Sequence, residues 1–427
     1  MARHKKESLF RVDGANYLIP FILLTSLFLM WGLANNMTDT LLAAFKKIMS
    51  MSDFQTSWIQ MAFYGSYFCL ALPAALFIKR FNYKSGVLLG LGLFISGALF
   101  FYPASNTQQY GHFLAALFVL AGGLSVLETS ANSYIIIMGP SKTATRRLNL
   151  AQSFNPIGSI LGVALSKYFI LANLHQAGAD ARSSMLPEQL KEIQTAELNA
   201  VMGPYVGIAI VLLLIWVTIA VYKMPQASDS SALNLGPTVK RLLRNRNYAT
   251  GVVAQFFYVG AQIGVWSFTI RYVMAELTVN EEQASTYYIA ALIAFTLSRF
   301  IFTGLMKYFK PGTLLAVAAA MAIVCSLYVI FGRGMSAVIA LVAISAFMSL
   351  MFPTIFGQAV TGLGADTKVG GSGLIMAILG GAVLTALQGI VSDATNSIHY
   401  SFAIPLLCFI VILLYSINTR KYAQAIP

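Results

Sequence analysis

The chain has 427 residues, of which 58% are hydrophobic and only 10% charged, against about 25% charged in soluble domains. Its 28 Lys and Arg outnumber 15 Asp and Glu, giving a formal charge of +13, and the mean hydropathy is +0.72. These values exclude a disordered chain and a soluble enzyme of ordinary composition; they also exclude a soluble nucleic-acid-binding domain, which needs a basic face. Cys69, Cys325 and Cys408 sit in apolar runs with no CxxC spacing. Neither a disulfide framework nor a metal site is expected, and each thiol is expected as a small buried hydrophobe.

A membrane helix needs about 20 mostly apolar residues. Twelve such stretches follow in chain order: 17–45, 54–78, 85–101, 110–138, 148–173, 202–223, 247–274, 284–308, 312–331, 335–361, 368–391 and 399–418. The expected fold is an all-α polytopic membrane protein. The first stretch runs past Trp31 without a secretory cleavage signature, so it reads as a retained helix. Most of the 28 basic residues fall at the amino terminus, after the second, fourth, eighth and tenth stretches, in the linker 224–246 or in the tail. The positive-inside rule then places both termini in the cytoplasm, and the charge excess reads as topology, not as a nucleic-acid footprint. The acids of the loop between spans 5 and 6, and of the loop with Glu276, Glu281 and Glu282, read as solvated outer surface.

The linker 224–246 divides the chain into two six-helix halves, 17–223 and 247–418, with cytoplasmic tails 1–16 and 419–427. Six spans, a cytoplasmic linker and six more is the layout of the major facilitator superfamily, whose halves are related by an axis along the membrane normal. Basic-aromatic turns at equivalent places, Lys79–Gly86 and Lys307–Gly312, echo one another. Gly158 and Gly162 form a small-residue face on span 5, which lets helices approach closely. Asn155-Pro156 and Phe352-Pro353 are expected to break the helical ladder, as is Pro73.

Polar residues inside apolar spans carry the functional signal. An acid at the bilayer centre costs about 2.5–3.5 kcal/mol even on the insertion scale. Glu128 sits mid-span in Leu127-Glu128-Thr129, with Asn132 one turn on. It reads either as a group that gains and loses a proton or as a neutral acid tying helices together. Asn35 and Asp39 share a helix face, with Asn36 beside them and Trp31 one turn back; alternatively Asp39 has already left the membrane. Gln152 and Asn155 lie three apart on span 5, and Gln255, Tyr258, Gln262 and Trp266 form a helical stripe on span 7. Amides offer donors and acceptors together, which a hydroxyl-rich ligand needs, and indole faces suit its C–H surface. Phe347, Phe352 and Gln358 extend the aromatic and amide surface on span 10. Trp58 and Trp216 fit the interfacial belt, as His112 and His399 fit span entrances.

Several stretches together resemble the fucose–proton symporter family of the major facilitator superfamily. They are Ala34-Asn-Asn-Met-Thr-Asp39, Leu127-Glu-Thr-Ser-Ala-Asn132, Arg147-Leu-Asn-Leu-Ala-Gln152-Ser-Phe-Asn155, Tyr258-Val-Gly-Ala-Gln262 and Phe352-Pro-Thr-Ile-Phe356. The resemblance covers about Tyr17 to Tyr415. It implies that Asp39 and Glu128 are proton-coupling carboxylates and that Gln152 and Asn155 lie in a central cavity. It also implies uptake of L-fucose or, in other branches, of glucose, galactose or N-acetylglucosamine. Thr38 and Phe352 stand where the fucose branch carries Asn and Tyr, and Gly264-Val265 replaces a more polar pair. Those departures bear on sugar choice.

The expected function is monosaccharide–proton symport across a bacterial inner membrane, by a chain able to act as a monomer among lipids. Sugar contacts are expected from Trp31, Asn35, Asn36, Asn132, Gln152, Asn155, Tyr258, Gln262, Trp266 and Phe352. No cofactor is expected, and the absence of a Gly-x-x-x-x-Gly-Lys-Ser/Thr motif disfavours ATP-driven pumping. The rivals are an uncoupled facilitator or exchanger, a glucose/galactose symporter, a sugar sensor and an intramembrane enzyme.

Overall fold

The computed structural model describes residues 9–12, 15–48, 53–107, 109–170, 185–225 and 235–424. Within those, side chains are outside the described set at 11, 12, 15, 38–48, 53–58, 60–61, 167, 170, 187, 199–201, 281 and 420–424. In hydrocarbon every backbone polar group must be satisfied within its own segment, and the apolar runs accordingly fold as helices. These are α1 Leu18–Ile48, α2 Asp53–Arg80, α3 Tyr83–Thr107, α4 Tyr110–Ile137, α5 Ala144–Gln152, α6 Asn155–Leu165 and α7 Pro187–Val221. They continue as α8 Leu235–Arg244, α9 Arg246–Leu277, α10 Glu281–Leu305, α11 Pro311–Phe331, α12 Gly334–Met348, α13 Met351–Val360, α14 Thr367–Met376, α15 Gly380–Thr395, α16 Ile398–Ser401 and α17 Ala403–Gln424.

Eleven helical stretches among the described residues are long and apolar enough to cross a membrane. The expected span 148–173 is the one not among them; its end lies outside the described residues, and its described part is broken. α5 ends at Gln152, Ser153 and Phe154 turn, and α6 begins with Pro156 in its first turn. Proline is tolerated there because the first N–H groups of a helix have no partner to lose. Span 10 breaks in the same manner between α12 and α13, ahead of Pro353. Pro73 behaves otherwise than expected, since α2 runs through it unbroken.

One further expectation is corrected. The loop expected before span 6 is helical from Pro187 on: α7 starts there, and Glu188, Lys191, Glu192 and Ala196 are good helix formers that prolong the apolar helix. The linker contains α8, whose Arg241 grips Asp366 through two hydrogen bonds of 2.9 and 2.7 Å. The amino-terminal tail holds a small ribbon, with Arg11–Val12 antiparallel to Ala15–Asn16. Helix starts are set by local chemistry. Asn245 accepts from the Tyr248 amide at 3.1 Å, and Asn280 and Gln283 form a capping box.

The chain forms two compact units. One gathers the described residues of Met1–Phe21, Asn132–Ser153 and Ser228–Pro427; the other gathers those of Ile22–Ala131 and Phe154–Ala227. In the second unit glycine sets the spacing. A β-carbon at Gly32 would collide with the Asn155 carbonyl, and one at Gly158 with the Leu29 carbonyl. α1 and α6 therefore touch backbone to backbone. Gly90, Gly97 and Gly123 do the same for α3 against α4. Gly158→Leu is expected to leave little or no folded protein, because overpacking alone costs about 1–3 kcal/mol where a side chain can yield, and a backbone carbonyl cannot. Recovery of monodisperse protein in detergent checks this.

Candidate functional site

In the second unit, Glu128 is 3% exposed, near the middle of α4. Tyr67 of α2 lies near Glu128 and near the Trp31 indole. Tyr67 is anchored from behind, because Ser125 donates to its backbone carbonyl at 3.0 Å and Phe63 packs 5.3 Å from its ring. An acid is thus held in the interior of an apolar helix, with a phenol nearby. Trp31 also packs on Phe28, at 6.2 Å between centroids. Asn155 donates to the Phe28 carbonyl at 3.2 Å and Asn36 to the Gly32 carbonyl at 3.2 Å. Asn35, Asn36 and Asn155 are half-buried. Asn36 and Asn155 each spend a donor on backbone while remaining partly open. Asp39 lies on the continuous helix α1, which runs on to Ile48; its side chain is outside the described residues, as is that of Trp58.

In the first unit the amides of α4 and α5 meet. Gln152 donates to the Asn132 carbonyl oxygen at 2.8 Å, and both are buried. Tyr258 is fully buried, with its ring 6.1 Å from Phe352, which stacks on Phe356 at 6.4 Å. Trp266 donates to the Ser345 hydroxyl at 3.3 Å and meets Phe295 edge-on at 5.0 Å. Gln262 and Trp266 are half-buried, while Gln255 is fully buried with no hydrogen-bond partner for its amide among the described residues. The span 7 stripe is therefore divided into a packed end near Gln255 and Tyr258 and a partly open end at Gln262 and Trp266. Asn132, Gln152, Tyr258, Gln262, Trp266 and Phe352 all belong to this unit, and Trp31, Asn35, Asn36, Glu128 and Asn155 to the other.

Sequence reasoning missed two buried cations. Arg147 has no exposed surface and donates to the carbonyls of Ile135, Ile136, Pro140 and Leu9 and to the Thr143 hydroxyl, at 2.6 to 3.3 Å. Burial lowers its pKa to about 10, so it stays charged at neutral pH. Arg299, 3% exposed on α10, donates to the Ser349 carbonyl at 2.5 Å and the Gln152 carbonyl at 2.9 Å, with Phe295 beneath it at 4.6 Å. The signal was a lone Arg in the apolar run Thr296-Leu297-Ser298-Arg299-Phe300-Ile301.

One residue read as surface is also corrected. The Glu276 side chain is only 5% exposed, pairs with His399 at 3.0 Å and accepts from the Gly334 amide. His399 reaches Arg333 at 3.1 Å with its other ring nitrogen. Cys69 is exposed and Cys325 half-buried, so of the three thiols Cys408 alone is fully buried. Trp216 donates to the Leu88 carbonyl at 2.9 Å, as an anchoring indole does.

Comparison with known proteins places this arrangement. Residues 21–387 match the family model of the Major Facilitator Superfamily. The chain is 40% identical over 423 residues to the L-fucose-proton symporter of Haemophilus influenzae, covering 96% of this chain and 99% of that one. It is 33% identical over 409 residues to a glucose/galactose transporter of Brucella abortus, covering 95% of each. The crystal structure of Escherichia coli FucP in the outward conformation superposes with a TM-score of 0.90 at 39% identity, over 94% of this chain and 99% of that one.

Proposed function

We propose that this chain, which belongs to the major facilitator superfamily and within it to the fucose–proton symporter family, takes up L-fucose together with a proton. Membership makes it a multi-pass transporter and not an enzyme. The single observation that carries the reading is Glu128, an acid buried mid-helix with Tyr67 near it. A permanently charged acid there is costly; an acid that loads and unloads a proton has a use for the site. Identity to a fucose–proton symporter at 40%, against 33% to a glucose/galactose transporter, favours L-fucose as the sugar.

Asp39 and Glu128 are assigned to the proton. Trp31, Asn35, Asn36, Asn132, Gln152, Asn155, Tyr258, Gln262, Trp266 and Phe352 are assigned to the sugar, amides to its hydroxyls and aromatic faces to its C–H surface. The carboxyls load when access is from outside, and sugar then binds. Access alternates, and proton release to the cytoplasm favours sugar release. Each ligand favours the same transition, which is coupling by linkage. A potential of 100 mV supplies about 2.3 kcal/mol per proton moved. The layout we assign is twelve spans in halves 17–223 and 247–418, joined by the linker 224–246, acting as a monomer in the inner membrane with tails 1–16 and 419–427 cytoplasmic.

Gln152→Ala removes both an amide for the sugar and the bond to Asn132. Each such bond is worth about 1 kcal/mol, so L-fucose affinity is expected to fall roughly fivefold to tenfold, measured by titration of the purified protein. The reading itself is tested by counterflow in proteoliposomes preloaded with L-fucose, D-glucose, D-galactose or D-arabinose. L-Fucose is expected to exchange fastest. Exchange of D-glucose or D-galactose at a higher rate overturns the sugar assignment.

A further inference from the structure

We propose that Arg299 is the latch of the cytoplasmic gate, and that it works by filling the two carbonyls that proline leaves open in spans 5 and 10. In a continuous helix the carbonyl of residue i accepts from the N–H of residue i+4. For Gln152 that residue is Pro156, and for Ser349 it is Pro353. Proline has no N–H to give. The Arg299 guanidinium donates to these same two oxygens, Nη1 to Gln152 at 2.9 Å and Nε to Ser349 at 2.5 Å. A planar fork with several fixed donors suits two separate carbonyls as an ammonium does not. Phe295 supports the cation from below at 4.6 Å.

The two carbonyls come from opposite ends of the chain. Ser349 and Arg299 lie in the six spans after the linker, whereas Gln152 lies in the six before it. Yet Asn132–Ser153 packs within the same compact unit as Ser228–Pro427. The seam that joins them is tight. Asn149 donates to the Thr354 hydroxyl at 3.2 Å, and Arg146 to the Thr303 carbonyl at 3.3 Å. A β-carbon at Gly371 would strike the Ser133 hydroxyl, and one at Gly357 would crowd Thr145. With both termini inside, this seam is the cytoplasmic end of the pathway. Opening it takes Arg299 off Gln152 and leaves a carbonyl with no protein donor, which water must then reach. Gln152 also carries an amide assigned to the sugar, so the latch holds the backbone of a substrate contact. That link and the placement of the seam at the cytoplasmic end rest on the transport reading; the latch across the seam does not.

Ser133 reports on the seam. It is fully buried and its hydroxyl has no hydrogen-bond partner among the described residues, so Ser133→Cys costs no such bond. In a chain with Cys69, Cys325 and Cys408 replaced by Ser, labelling of this thiol by N-ethylmaleimide is followed in inverted vesicles without sugar. Arg299→Gln is expected to raise the labelling rate at least about tenfold, the scale of one lost charge-assisted hydrogen bond. Pro156→Ala keeps the cation but restores an N–H that competes for the Gln152 carbonyl; it is expected to raise labelling by about threefold or more. Where Arg299→Gln does not fold, Pro156→Ala decides. Parent-like labelling in every variant that folds overturns the latch. Because this arm contains no sugar, faster labelling in a chain that ignores L-fucose keeps the latch and refutes the transport reading; unmoved labelling with normal L-fucose uptake does the reverse.

Discussion

Glu128→Gln is expected to let L-fucose equilibrate across a sealed vesicle but to stop it accumulating. The substitution keeps size and hydrogen-bonding capacity and removes the proton. One proton moved down 100 mV supplies about 2.3 kcal/mol, which at about 1.4 kcal/mol per tenfold sustains a gradient of roughly 50-fold. In the variant that ratio is expected to fall toward one, while counterflow of labelled against unlabelled L-fucose continues. The site explains the split. The acid is 3% exposed, with Tyr67 near it, so an amide, which is neutral as the protonated acid is, sits there without penalty. Retained accumulation in Glu128→Gln would move coupling onto Asp39 alone.

Arg147→Met is expected to destabilise the fold strongly, away from the residues assigned to transport. The fork of Arg147 serves the carbonyls of Ile135, Ile136, Pro140 and Leu9 and the Thr143 hydroxyl. It gathers the end of α4, the turn after it and the amino-terminal tail. A hydrogen bond from a charged donor contributes about 1.5–3 kcal/mol, and a buried carbonyl left unpaired costs about 1–3 kcal/mol. Even with strong non-additivity the loss is expected to be about 3 kcal/mol or more. Arg147→Lys recovers part of it, since an ammonium reaches fewer of these oxygens at once. Thermal unfolding in detergent checks both. An apparent Tm within a degree of the parent would show that water replaces the guanidinium at no cost.

The long apolar runs made most of the membrane helices legible, because hydrocarbon leaves the backbone few alternatives. Asn155-Pro156 and Phe352-Pro353 marked the broken helices correctly, and Gly158 the close packing of α1 and α6. Pro73 misled, because an isolated proline can be absorbed where neighbouring groups re-satisfy the backbone. The start of α7 was hidden because hydropathy ends where the membrane does, while helix propensity continues. Glu128 was legible from its apolar flanks alone. Arg147, Arg299 and Glu276 were not, because their partners are backbone groups and side chains distant in sequence: Leu9 for Arg147, Gln152 for Arg299, and Gly334 and His399 for Glu276. Charge counting assigns Arg147 to topology and Glu276 to solvent, and leaves Arg299 without a role. Composition does not distinguish a loop arginine from one that serves carbonyls inside a bundle.

The central claim is that sugar and proton move together. The most direct test places the unmodified protein in sealed vesicles with a pH-sensitive probe outside and no imposed gradient, then adds L-fucose. The account predicts alkalinisation of the medium on L-fucose addition, and none with a sugar that is not exchanged in counterflow. L-Fucose entry with an unchanged external pH would contradict it and leave an uncoupled facilitator.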